Sequence, residues 1–225
     1  MSARLGRRAV GGVVLAALIG GALALPALAA KDDLDLVSRA TGGAGSPAGA
    51  DSFEGTVSGD GRLVAFQSGA DNLSTEDNNA FTNVFVRDLQ NNTTTLVSRA
   101  SGASGAAGDD FSANAEISAD GRFVAFHSNA DNLSAEDDDA VIDVYVRDLQ
   151  AGTTTLVSRA DGATGAGGDA SSTQPSISAD GRLVVFESEA DNLSGDSVDV
   201  FSEVFVRDLQ ANTTTLVSRP GRPRG

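Results

Sequence analysis

The chain has 225 residues, with 16 basic and 31 acidic side chains and a net charge of −15 at pH 7, enough length for one core of ordinary size. Such a surface repels nucleic acid and anionic lipid and suits solubility or cation binding. The absence of cysteine excludes disulfides, a lipoprotein anchor and zinc sites built from His and Cys.

From the N-terminus, Arg4, Arg7 and Arg8 form a basic start, Val10 to Leu25 is apolar, and Ala27-Leu28-Ala29 offers small residues to a signal peptidase. That order predicts a signal peptide over residues 1–30, and hence a secreted or periplasmic, cell-envelope protein with no membrane contact after cleavage. An uncleaved membrane anchor is the alternative, because the stretch from Ala9 to Ala30 is almost long enough to span a bilayer. Pro26 and the small-residue site favour cleavage.

Beyond the leader the chain repeats. Leu-Val-Ser-Arg stands at 36–39, 96–99, 156–159 and 216–219, Asp-Gly-Arg at 60–62, 120–122 and 180–182, and Val-Arg-Asp-Leu at 86–89, 146–149 and 206–209. Three motifs held in one 60-residue register define a tandem array over residues 31–219. Each unit reads as four strands. The first is short (Thr56 to Ser58 and its copies) and runs into Asp-Gly, a two-residue hairpin signal. The second (Leu63 to Phe66) and third (Val84 to Val86) are apolar at successive positions, which implies burial on both faces. The fourth is Thr94 to Val97. Asn92, Gly152 and Asn212 share one position before it, and both residue types accept the left-handed conformation of a tight turn.

The succession Ser-Ala-Asp-Gly-Arg, Leu-Val-Val-Phe, Val-Phe-Val-Arg-Asp-Leu and Thr-Thr-Thr-Leu-Val-Ser resembles the TolB-like, WD-repeat-like β-propeller repeat of bacterial exported proteins, over roughly residues 33–219. The resemblance implies an all-β, propeller-like array of three four-stranded antiparallel blades. One extra copy of the fourth strand (Asp33 to Arg39) stands at the N-terminus. A proline that the family carries before the first strand is present only as Pro175, with Gly55 and Ala115 elsewhere. Propellers close with about four to eight blades. Three therefore predict an open array, a homodimer completing a six-bladed ring, or a piece of a longer ring. The basic segment 220–225, with Pro220 and Pro223, reads as a disordered tail.

The strand-two-to-three connections (Asp71 to Asn79 and their copies) are acidic, while the fourth-to-first connections (Thr41 to Ala50, Ser101 to Gly108) are rich in Gly, Ala and Ser. Both are expected at one end of the array, forming a mobile, acidic face suited to binding. Within them Asp137, Asp139 and Asp143, and equivalently Asp77, Asn79 and Asn83, have the spacing of oxygen ligands for calcium. Solvated acidic loops are the alternative, and Ala80, Ala140 and Val200 replace the turn glycine that related loops carry. Arg87, Arg147 and Arg207 read either as an anion-binding ring or as structural pairs and turn hydrogen bonds. The Asn-Leu-Ser triplets at 72–74, 132–134 and 192–194 read as turns. His127 is the only histidine and is Gln67 and Glu187 in the other repeats, so a Ser-His-Asp or Cys-His site lacks its parts. The expectation is a non-catalytic exported module that binds an unknown protein or, alternatively, a glycan or cell wall, in which case Phe53, Phe81, Phe111 and Phe201 would be the exposed aromatics; a hydrolase or lyase using paired carboxylates is the third alternative.

Overall fold

In the computed structural model the described residues are 36–218, apart from 78, 103, 138 and 196–200. The predicted signal peptide, the start of the extra strand at Asp33 to Asp35, Asp199 and the basic tail lie outside them. All twelve described elements are strands. The first blade is β1 (Ser52–Val57), β2 (Leu63–Ser68), β3 (Asn83–Asp88) and β4 (Thr93–Leu96). The second is β5 (Ser112–Ile117), β6 (Phe123–Ser128), β7 (Asp143–Asp148) and β8 (Thr153–Leu156). The third is β9 (Ser172–Ile177), β10 (Leu183–Ser188), β11 (Glu203–Asp208) and β12 (Thr213–Leu216). Each blade is an antiparallel four-stranded sheet with strands in sequence order, and successive blades stack face to face, giving an all-β, propeller-like, open array.

Two turn motifs set the blade register. Asp60 accepts from Ser58 Oγ at 2.6 Å and from the Arg62 amide at 3.0 Å, while Gly61 takes a φ of 73°, which glycine alone adopts cheaply. Asp88 then accepts the Gln90 and Asn91 amides and the Arg62 guanidinium at 2.6 to 3.2 Å. The two motifs therefore join the β1–β2 and β3–β4 hairpins at one end of the blade, and blades two and three repeat the arrangement through Arg122–Asp148 and Arg182–Asp208. Asn92, Gly152 and Asn212 adopt φ of 57°, 68° and 56°, as the shared left-handed position requires.

Burial on both faces follows from stacking. In β3 and β7 all six residues are buried. One face of each blade carries a stacked aromatic pair, Phe66–Phe85, Phe126–Tyr145 and Phe186–Phe205, each with centroids 5.8 Å apart. The opposite face carries small and branched residues: Ala65, Val84, Val86 and Val97 of blade one meet Ala115, Ile117, Val124 and Phe126 of blade two in one cluster. Ala125, Val144, Val146 and Val157 meet Val184, Phe186 and Phe205 of blade three in another. Burying each large apolar side chain contributes about 1.5–3 kcal/mol, so these two interfaces are the core.

Three sequence expectations change. The first strands are six residues long and bulged: register shifts between Phe53 and Gly55 and between Ala113 and Glu116, and Glu54, Asn114 and Gln174 have φ of 42° to 53°. The extra N-terminal strand is not a strand in its described part. Leu36 to Arg39 aligns with the end of β4 and the residues after it, so Val37 packs on the Phe66, Phe85 and Leu96 face, and Arg39 bridges to Pro47.

The Gly/Ala/Ser-rich connections meet the acidic loops at one end, as at Gly49 and Asn72, but do not stay there. Each folds into a small hairpin along the outer edge of the following blade, with isolated bridges Arg39–Pro47, Arg99–Ala107 and Arg159–Gly167. Thr94 donates its amide to Thr41 Oγ1 at 3.0 Å, and the Gly42, Gly102 and Gly162 amides reach the Asn92, Gly152 and Asn212 carbonyls at the far turn. This hairpin covers the edge strand, which would otherwise offer unpaired backbone groups to another chain.

Candidate functional site

The segregation of charge defines the site. At the end of the array bearing the β1–β2 and β3–β4 turns, the half-exposed Arg62, Arg122 and Arg182 are each paired with an aspartate. At the opposite end, the β2–β3, β6–β7 and β10–β11 connections expose Asp71, Glu76, Asp131, Glu136 and Asp191. The arginines there are Arg99 and Arg159, whose side chains are only 7% and 5% exposed and paired with Glu76 and Glu136, and the half-exposed Arg39, which donates to the Gly45 carbonyl. Carboxylates crowd: burial and the charge of Asp131 push the Asp109 carboxyl above its ordinary range, and the hydrogen bond shared with Asp169, then its charge, does the same to Asp191. These loops are anchored by the Asn-Leu-Ser turns. Asn72 accepts the Gly49 amide at 2.8 Å and donates to the Pro47 carbonyl at 2.9 Å, and Leu73, Leu133 and Leu193 are buried.

Within this end, the first and second repeats solve one geometric problem differently. In repeat one, Asn83 Nδ2 donates to Asp77 Oδ1 at 3.2 Å, Asn79 Oδ1 at 3.1 Å and the Phe81 carbonyl at 3.4 Å, and Asn83 Oδ1 accepts from Ser98. An amide thus fills the centre of an oxygen-lined loop. In repeat two, Asp143 stands in place of Asn83 and likewise accepts from Ser158 Oγ at 2.5 Å, but a carboxylate has no proton to offer at the place of Asn83 Nδ2. Oxygen atoms of Asp137, Asp139 and Asp143 lie within 4.8 Å of one another, and burial raises the Asp137 pKa. Tyr145 compensates in part by donating its hydroxyl to Asp137 Oδ2. Phe85 replaces it in repeat one, where Asp77 Oδ2 has no donor among the described residues. Three hard oxygen donors supply part of the roughly six to eight that calcium takes in repeat two; in repeat one Asn83 Nδ2 fills the centre of the loop, while Asp77 Oδ2 stays without a donor among the described residues. In repeat three, Glu203 occupies the Asp143 position, while Ser197 and Asp199 lie outside the described residues.

The structural reading of Arg87, Arg147 and Arg207 holds. These side chains are 2% to 6% exposed and point at protein rather than solvent. Arg147 Nη1 donates to the Ala100 carbonyl at 2.9 Å and Thr154 Oγ1 at 3.0 Å, and Arg87 and Arg207 reach the Ala40 and Ala160 carbonyls. Burial lowers the pKa of Arg147 and Arg207, yet a guanidinium so far above neutrality stays charged. They clamp the edge hairpin to the blade. His127 lies beside Phe111, edge to face with centroids 6.0 Å apart, and burial alone lowers its pKa. Its Nδ1 has no hydrogen-bond partner among the described residues. Of the four phenylalanines, Phe53, Phe81 and Phe201 are exposed, and Phe111 is half-buried against His127.

One set of residues goes unread in the sequence. Arg39, Arg99 and Arg159 each donate to the carbonyl six residues ahead, at Gly45, Gly105 and Gly165, and so close the edge hairpin. The signal for it was the fixed Arg-to-Gly spacing in every repeat.

No protein-family model matches the sequence, and no curated protein matches it. Among solved structures, the chain is similar to TolB from Acinetobacter baumannii, with 15% identity and a TM-score of 0.46 over 76% of this chain and 32% of that one. It is similar to a protein described as TolB from Agrobacterium tumefaciens, with 17% identity and a TM-score of 0.47 over 81% and 50% of the two chains. An acylaminoacyl peptidase from Pyrococcus horikoshii gives 14% identity and a TM-score of 0.44, over 76% and 25%. The chain therefore spans between 32% and 50% of the length of the two TolB structures.

Proposed function

We propose that the chain is an exported, non-catalytic binding module that engages a cationic protein partner through the end bearing its acidic loops. The segregation of charge supports this reading: Asp71, Asp131 and Asp191 project at one end without an ion pair among the described residues, while the described arginines, apart from the half-exposed Arg39, are buried or paired with a carboxylate. A field of one sign raises the encounter rate with a partner of the other sign and fades with salt. The test is titration with a cationic probe protein at low and high salt. The triple variant Asp71→Asn, Asp131→Asn, Asp191→Asn should lose most of the low-salt affinity. Equal loss from Asp60→Asn, Asp120→Asn, Asp180→Asn at the opposite end would overturn the assignment.

In this proposal calcium stiffens the loop of repeat two through Asp137, Asp139 and Asp143. A ligand that binds only the folded state raises the unfolding midpoint. Calcium should therefore raise Tm for the wild type and not for Asp143→Asn, which rebuilds the amide of repeat one. A midpoint that calcium leaves unmoved in the wild type removes the metal.

A glycan is the second reading, favoured by Phe81 and Phe201. They are 42% and 71% exposed and occupy the same position in repeats one and three. Sugar rings stack on such faces, and glycan-array binding lost in Phe201→Ala would displace the protein partner in favour of a saccharide.

A further inference from the structure

The two ends of the array expose the two halves of an interface that the chain already forms twice within itself. At the C-terminal end, the outer face of blade three leaves Leu183, Val185 and Val217 exposed to 38%, 39% and 53%. At the same positions Ala65 and Ala125, and Val97 and Val157, are 0% exposed because the next blade covers them. At the N-terminal end, Val57 is 58% exposed, whereas its equivalent Ile117, on the strand that packs over the preceding blade, is 7% exposed. Among the described residues no blade follows the one surface and none precedes the other.

We propose that two copies of this chain join head to tail, blade three of each docking on blade one of the other, to close a six-bladed ring. This inference does not rest on the acidic loops or their ligand. Shape complementarity is already demonstrated inside the chain. The β1–β2 turn of each following blade receives a residue of the blade before it: a Cβ at Gly121 would lie 3.0 Å from Leu63 Cδ1, and one at Gly181 2.0 Å from the Phe123 ring. The place of a Cβ at Gly61 has nothing within 4 Å, and Leu183, the equivalent of Leu63 and Phe123, is the exposed residue that would seat there in the partner. Backbone polar groups repeat as well. Ser112 donates its amide to the Thr82 carbonyl at 2.7 Å and Ser172 to the Ile142 carbonyl at 2.6 Å, which places Ser52 opposite Ser202 of the second copy.

Stoichiometry follows from counting. A head-to-tail contact between unlike faces either closes or grows into a filament. Propellers close with about four to eight blades, and six is the multiple of three within that range. The outer edges of the blades are blocked by the edge hairpins, so lateral pairing does not compete.

A cross-link tests both the partner and the direction. A Cβ at Gly59 would lie 3.3 Å from the Ala119 Cβ, near the separation of about 3.8 Å found in disulfides, and 2.9 Å from the Ala119 carbonyl oxygen, so the turn must give slightly to take it; the chain has no cysteine of its own. Gly59→Cys with Ala119→Cys should therefore oxidise within one chain, which verifies the blade contact. Gly59→Cys with Ala179→Cys should oxidise only between chains, giving a closed covalent dimer. Light scattering of the wild type should report the mass of two chains, and Val57→Asp should halve it while the far-ultraviolet spectrum is kept. The proposal is overturned by a wild type that stays monomeric at all concentrations, or by the absence of interchain oxidation while the control pair oxidises. A dimer that survives Val57→Asp, or a ladder of higher species, overturns it equally.

Discussion

At the scale of single residues, equivalent positions in three repeats act as a natural substitution series. Position 67 is Gln, 127 is His and 187 is Glu, so no imidazole is needed there. Gln67 accepts the Asn114 amide of the next blade at 2.8 Å. His127 is held neutral by burial, with a folded pKa below the value of about 6.5 for a free imidazole. A group with a depressed folded pKa binds protons more readily in the unfolded chain. Its contribution is thus fully present above about pH 6.5 and is lost as pH falls from there through the folded value. His127→Gln should remove that component: the stability difference between wild type and variant is constant above pH 7 and shifts in favour of the variant towards pH 5, as read by urea unfolding. Below about pH 4, loss of the carboxylates paired with Arg62, Arg122 and Arg182 weakens both proteins alike, because these pairs hold Asp88, Asp148 and Asp208 below the usual carboxylate range.

The recurrence of the buried arginines was legible in sequence, and so was the choice between anion ring and structural clamp. The choice itself was not, because backbone carbonyls, which are the partners of Arg87, Arg147 and Arg207, leave no sequence signature. The metal-like spacing of Asp137, Asp139 and Asp143 was legible too. What the spacing did not disclose is that Asn83 supplies its own donor to repeat one, which makes the two loops chemically unequal.

At the scale of elements, the second and third strands were readable because stacking buries both of their faces, and a run of apolar residues is the direct imprint of that environment. The first strand extends beyond its apolar positions to six residues in each blade. Its alternation is broken by a bulge at Glu54, Asn114 and Gln174, where one residue drops out of register. The edge hairpins were invisible to periodicity, since Gly, Ala and Ser carry no hydrophobic pattern. Their geometry is nonetheless strict: a Cβ at Gly105 would lie 2.0 Å from the Ala100 carbonyl oxygen, and those at Gly45 and Gly165 meet Ala40 and Ala160 at 1.9 and 2.1 Å. Gly105→Ala should therefore open the hairpin, lowering stability by about 1–3 kcal/mol, the usual cost of forcing extra volume into packed structure. Gly195→Ala, where nothing lies within 4 Å of the added carbon, should leave the unfolding midpoint close to that of the wild type. A hairpin that tolerates Gly105→Ala without loss would mean that it is not clamped in solution.

At the scale of the whole molecule, triplication in sequence becomes triplication in space, with each blade dependent on its neighbours for the burial of one face or both. Contacts run mostly between adjacent strands and adjacent blades, as in repeat proteins whose stability is a sum of unit and interface terms. Three equivalent blades stacked in one register should impress a 60-residue period on native-state hydrogen exchange resolved by residue. The slowest amides should fall in β2 and β3, β6 and β7, and β10 and β11, recurring every 60 residues, with the third set somewhat faster where its outer face is open. Protection confined to one repeat, or without that period, would contradict the stacking.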